Sequence, residues 1–157
     1  MPRYTTRRRV NFTAAEMFGL VADVEKYPQF LPLCEALRVR ERTTDAEGRA
    51  VVIAVMEVGY KAIRERFTSR VVLDRAANRI LVTYLDGPFS RLENRWTFVD
   101  VESGAGPRSD VEFFIDYEFR SFILQTLMGA MFDQAFRKFA DAFEARAHQV
   151  YGRRPTA

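Results

Sequence analysis

Few side chains in this sequence could carry chemistry. The 157 residues include one histidine, His148, and one cysteine, Cys34. A single histidine rules out a multi-histidine metal site and argues against a histidine-based triad. A single cysteine rules out an internal disulfide and a cysteine-rich metal cluster. Cys34 has no histidine near it in sequence and follows a proline-rich turn, so it reads as a small buried apolar residue. His148 falls near the end of a predicted helix, where a cation is favoured by the dipole. Asp116 and Glu118 alternate outward on a predicted strand, where neighbouring acids solvate a face. No glycine-rich loop opens a helix, so no phosphate cradle is visible. Glu65, Ser69 and Asn94 differ, because they share strand faces with apolar residues. A buried polar group needs a hydrogen-bond partner. Glu65 could pair with an arginine or orient a polar ligand head, and Asn94, beside Glu93 and Arg95, reads as part of a structural network.

Composition narrows the class further. There are 14 Phe against 1 Trp, and 21 Arg against 3 Lys. Phenylalanine supplies apolar area with no polar atom to satisfy, so it builds a thick core or lines an apolar cavity. The arginine bias reads either as anion recognition or as codon usage. A net charge of +3 is too small to argue for nucleic acid, and no DNA partner is expected. Three arginine groups stand out: Arg7 to Arg9, Arg38/Arg40/Arg42 and Arg64/Arg66/Arg70. They could pair across strands with Glu41, Glu112, Asp116 and Glu118. They could equally form a basic strip for the phosphates of lipid or RNA.

The elements that must position these residues follow from periodicity. The length fits one domain, residues 1–157, with enough buried surface to need no staples. The basic start has no apolar core behind it and is not a secretory signal. The most apolar run, Phe122 to Phe132, is too short to span a bilayer. Arg3 to Val10 reads as a first strand. Thr13 and Glu16 fit a capping box for a helix ending near Val24. One further helical turn is expected between Pro28 and Pro32. From Leu37 the apolar period becomes two, through strands around Val51–Tyr60, Ile63–Leu73, Ile80–Asp86, Leu92–Phe98 and Val111–Phe119. Turns fall at Asp45–Gly48, Arg75–Asn78, Gly87–Pro88 and Ser103–Pro107. Phe114 is the one break in the last alternation. Ser121 then caps a helix running to about His148, with Leu124, Leu127, Met128, Met131, Ala135 and Phe139 on one face, widened by Phe132, Phe136 and Phe143. The expected fold is α+β: a curved antiparallel sheet of about six to seven strands around one long C-terminal helix, with two short helices after strand one. Soft residues facing a Phe-rich sheet suggest either a tunnel or a dense core with methionine as filler. Gly129, mid-helix, needs either close contact with the sheet or space for a ligand tail.

Several blocks of the sequence also resemble a known family. Ala22-Asp-Val-Glu-Lys-Tyr-Pro-Gln-Phe-Leu-Pro32 followed by Cys34 resembles the signature of the coenzyme Q-binding proteins, within the START-like, polyketide-cyclase-like superfamily. Phe67 to Val71, Gly87-Pro-Phe89 with Leu92 to Trp96, Phe114 to Phe119 and Phe132 to Ala147 resemble further blocks in the same order. Leu33 stands where an aromatic is common, at the cavity mouth. The resemblance implies a helix-grip fold with an apolar cavity for ubiquinone as bound ligand and no other cofactor. It implies a non-catalytic lipid carrier or chaperone supporting respiration; the lack of a targeting signal leads to the separate expectation of a cytoplasmic protein, with peripheral contact at the inner face of the membrane left open. Relatives include a ribosome-association toxin, so the ribosome is the alternative partner. A cyclase-like enzyme is a third possibility. The lining expected on this basis is Phe67, Phe89, Leu92, Trp96, Leu124, Leu127, Met128, Met131 and Phe132, with Leu31 and Tyr117 at the mouth.

Overall fold

The computed structural model describes residues 3–60, 62–102, 104 and 106–152. Strand β1 (Arg3–Val10) leads to helix α1 (Ala14–Ala22) and a 3₁₀ helix (Val24–Gln29). Strands β2 (Cys34–Thr44), β3 (Ala50–Tyr60), β4 (Ile63–Asp74), β5 (Arg79–Asp86), β6 (Phe89–Asp100) and β7 (Ser109–Phe119) follow, then helix α2 (Phe122–Tyr151). The sheet is antiparallel throughout, in the order β1-β7-β6-β5-β4-β3-β2. β1 and β2 are therefore opposite edges, and the chain between them must cross the whole sheet. The two short helices make that crossing. Every later connection joins neighbouring strands. Register shifts at Cys34/Ala36, Val39/Glu41, Thr68/Ser69 and Phe89/Arg91 mark bulges, which bend a sheet.

Local chemistry explains the ends of the helices. The capping box forms: the Glu16 amide donates to Thr13 Oγ1 at 3.0 Å, and the Thr13 amide donates to Glu16 Oε1 at 2.9 Å. The extra turn expected between Pro28 and Pro32 instead lies earlier, as the 3₁₀ helix that contains Pro28. Pro28 fits there because a short 3₁₀ helix asks for few amide donors. Ser121 Oγ accepts from the Ile123 and Leu124 amides at 3.1 and 3.4 Å. α2 runs past His148 to Tyr151 and ends at Gly152, whose φ of 86° places it in the left-handed region. Of the Ser103–Pro107 turn, Ser103 and Ala105 lie outside the described residues.

α2 presses Met128, Phe132, Phe136 and Phe143 into the core. The buried stripe is centred one residue beyond the expected one, so Leu127 points outward and is 54% exposed. Periodicity fixes the existence of a stripe, but the apolar residues at the start of α2 cover more than one face. Gly129 does not make the close contact with the sheet that was one of its two expected reasons, and it is not part of the cavity wall. A Cβ there would touch only the end of the Gln125 side chain, with nothing from the sheet within 4 Å. Phe114 breaks the alternation because it sits on the outer face beneath arginines. The Arg95 guanidinium lies 4.3 Å from its ring centroid, and that of Arg3 lies 5.8 Å away. Among the described residues, no helix is long and apolar enough to cross a membrane.

Candidate ligand cavity

The closest backbone approaches of α2 are to α1, β1 and β7. Across β3, β4 and β5 the helix stands off the curved sheet, and an apolar cavity of about 110 Å³ fills the gap. Its sheet wall comes from alternate residues: Ala54, Met56 and Val58 of β3, Phe67, Ser69 and Val71 of β4, and Leu92, Asn94 and Trp96 of β6. Its helix wall is Phe132, Ala135, Phe136, Phe139 and Phe143. The segment after the 3₁₀ helix supplies Leu31, Pro32 and Leu33, and β2 supplies Leu37. Leu33 has a φ of 68°, uncommon for a side chain larger than glycine. Its carbonyl accepts from the Gly59 amide at 3.0 Å, which ties this segment to the end of β3.

Of the residues expected to line a cavity, Leu31, Phe67, Leu92, Trp96 and Phe132 do so. Phe89, Tyr117 and Met128 lie in the solid core beside it. Phe89 has no exposed surface and meets the rings of Phe67, Tyr84, Tyr117, Phe119 and Phe132. Tyr117, placed at the mouth from sequence, is 2% exposed and closed in by Phe89, Phe119, Phe132 and Phe136. Burial, then the nearby Asp133 charge, push its hydroxyl up to about 12. Leu124 and Met131 are half-buried, and with Leu127 they lie on α2 outside the cavity wall. The sequence reading missed the contribution of β3, and of the loop before β2 it named only Leu31 and Leu33, at the mouth. β3 is apolar without a break from Val51 to Met56, so alternation did not single out Ala54, Met56 and Val58.

Polar groups in the wall are sparse. Asn94 is engaged at both ends of its amide: its Nδ2 donates to the Phe114 carbonyl at 2.9 Å, and Trp96 Nε1 donates to its Oδ1 at 3.1 Å. The network runs to Trp96, not to Glu93 and Arg95, which pair with each other outside. The Tyr27 hydroxyl donates to the Val21 carbonyl, and burial holds its pKa well above the usual tyrosine value. Ser69 is 6% exposed and faces the cavity, yet its hydroxyl has no hydrogen-bond partner among the described residues. Glu65, two steps along the same face, beyond Phe67 and opposite Val58, is half-buried. It makes no arginine pair among the described residues, contrary to one of its two expected roles. Cys34 is buried, and burial pushes its thiol up to about 11.

The arginines divide. Arg7 and Arg9 both bind Asp110, and Arg8 reaches Asp141 and Glu144 on α2. Arg42 pairs with Glu25 and Arg64 with Glu35. Arg38, Arg40, Arg66 and Arg70, on the outer face of β2 and β4, have no ion pair among the described residues.

Residues 10–144 match the family model described as polyketide cyclase / dehydrase and lipid transport. The ribosome association toxin RatA of Escherichia coli is 32% identical over 98% of this chain and 92% of its own length. A mitochondrial coenzyme Q-binding protein COQ10 homolog B of Xenopus laevis is 28% identical over 96% of this chain and 59% of its own. The solution structure of an 18 kDa protein from Caulobacter crescentus superposes with a TM-score of 0.76, at 36% identity, over 98% of this chain and all of that one.

Proposed function

The chain belongs to the polyketide cyclase / dehydrase and lipid transport family, and from that premise we propose that it binds a prenylated quinone, ubiquinone, in the cavity beneath α2. It carries that lipid without changing it, in support of respiration, from the cytoplasm. The observation that carries this reading is the Ser69 hydroxyl, which faces the cavity without an acceptor among the described residues, in a wall whose other polar groups, on Asn94 and Tyr27, are already engaged. A quinone ring offers only acceptors, so one O–H···O=C bond orients it and satisfies the serine. The size supports a ring as the bound part. An apolar cavity of roughly 150 Å³ takes up benzene. A space of about 110 Å³ with the adaptable Met56 in its wall takes one ring or a short piece of tail, and not a long prenyl chain. Tyr27 is the one titratable wall residue, and its hydroxyl is already engaged. That favours binding over catalysis.

Trp96 is the only tryptophan and lies in the cavity wall, so it reports occupancy directly. Short-tailed ubiquinone should quench its fluorescence saturably, and organic extraction of the purified protein should yield prenylquinone by mass spectrometry. Ala135→Leu, which fills the cavity from α2, should remove the quenching without lowering the melting temperature. No saturable quenching and no extracted quinone would overturn the proposal.

The ribosome is the second reading. It is favoured by the name of the RatA relative and by the four unpaired arginines on the outer sheet face. Contact with rRNA phosphates would make binding fall steeply with salt. Cosedimentation with ribosomal subunits at physiological salt, lost in an Arg38→Glu/Arg66→Glu variant, would put this reading first.

A further inference from the structure

Among the described residues, the three most exposed large apolar side chains all lie in the first two turns of α2: Phe122 at 84%, Ile123 at 68% and Leu127 at 54%. They are not isolated from the cavity. Steps of four along a helix stay on one inclined ridge. The ridge Ile123–Leu127–Met131–Ala135–Phe139 is exposed at its start, half-buried at Met131, and forms cavity wall at Ala135 and Phe139. An apolar track therefore runs from the surface into the cavity. The first turn of α2 carries no acid, and Arg120, just before the cap, is exposed. Its amide donates to the Pro88 carbonyl at 2.8 Å, which anchors this corner to the turn between β5 and β6.

We propose that this corner docks on an anionic lipid bilayer, with Phe122, Ile123 and Leu127 inserted among the acyl chains and Arg120 at the headgroups. The ridge is then the path along which a prenyl tail passes between bilayer and cavity. This rests on the prenylquinone reading, because such a cargo resides in the bilayer and its tail exceeds the cavity. A second copy of the chain is a poorer occupant. The three side chains expose on the order of 400 Å², about half of the roughly 800 Å² per partner that a stable interface buries. The exposed Arg120 at this corner also complements an anionic surface.

The test is flotation of the full chain with vesicles of phosphatidylcholine alone or mixed with phosphatidylglycerol. Wild type should float with the mixed vesicles and less with the neutral ones. Phe122→Ser/Ile123→Ser should reduce partitioning by about tenfold or more, while keeping the wild-type melting temperature and the same quenching of Trp96 by short-tailed quinone. Arg120→Glu should lose chiefly the advantage of the anionic vesicles. Wild-type failure to float, or a double variant that floats like wild type, overturns the proposal even if Trp96 quenching stands. A wild-type dimer that the double variant converts to monomer, without vesicle binding, overturns it in favour of a second copy. Failure of quenching in wild type strikes the quinone reading separately.

Discussion

Ser69 is where the cavity's chemistry concentrates. It follows a bulge in the β4–β5 pairing and sits beside Phe67 and Val71 on the inner face. A hydroxyl that faces an apolar cavity with no protein partner adds no hydrogen bond to the fold until a ligand accepts from it. Ser69→Ala should therefore leave the melting temperature of the lipid-free protein unchanged or slightly raised. It should weaken short-tailed ubiquinone by about 2- to 12-fold, the equivalent of one neutral hydrogen bond of about 0.5–1.5 kcal/mol. Titration of Trp96 fluorescence and a thermal melt read both. A clear loss of stability would mean that the hydroxyl serves the fold instead. The inward placement of Ser69 and Asn94 was legible from alternation, since each shares its face with aromatic neighbours at two-residue spacing. The lack of an arginine for Glu65 was not legible, because Arg64 and Arg66 flank it in sequence but point to the opposite side of the sheet.

Gly129 makes the corresponding case within an element. Glycine inside a helix is worse than alanine by about 1 kcal/mol, and the only obstacle to a Cβ is the end of the flexible Gln125 side chain one turn earlier. Gly129→Ala should raise the melting temperature by about 2–4 °C, measured by calorimetry on the lipid-free protein. A fall would show that Gln125 cannot swing away. The strands, the antiparallel sheet, the capping box and α2 were all readable, because period two, turn residues and caps are local signals. The face that α2 turns inward was not. Phe122, Ile123, Leu124, Leu127, Met128, Met131 and Phe132 spread apolar area over more than half of its first turns, and only the sheet selects Met128 and Phe132. The same ambiguity displaced Leu127 from the expected lining and left it on the surface, where with Phe122 and Ile123 it belongs to the corner to which we assign a docking role. The loop wall of Leu31, Pro32 and Leu33 was half-visible: the prolines announced a turn, but nothing local specifies that Leu33 adopts a left-handed backbone.

The molecule holds its long helix by closing a sheet round it, and β1 is the edge that completes the grip. β1 pairs only with β7, and its arginines add the charged fastening: Arg7 and Arg9 converge on Asp110 of β7, while Arg8 crosses to Asp141 and Glu144 of α2. The side-chain hydrogen bond from Arg9, followed by that from Arg7, holds the Asp110 carboxyl below the usual carboxylate range. Arg91 and Arg3 do the same for Asp116 further along the strand. A carboxylate with a folded pKa below its unfolded value near 3.9 adds stability that is fully present above that value. This stability is lost as pH falls through the folded pKa. The melting temperature should therefore vary little with these groups between about pH 5 and 8, and drop below about pH 4 as Asp110 and Asp116 take up protons. Because Arg7 and Arg9 are largely solvated, the loss per group should be modest. Asp110→Asn should lower the neutral-pH melting temperature and flatten the acid limb. It should also speed amide hydrogen exchange in β1 before the rest of the sheet, since an edge strand with one partner opens first. An acid limb as steep in Asp110→Asn as in wild type would assign the acid sensitivity to other carboxylates, and would leave the Arg7–Asp110–Arg9 fastening without a part in holding β1 in place.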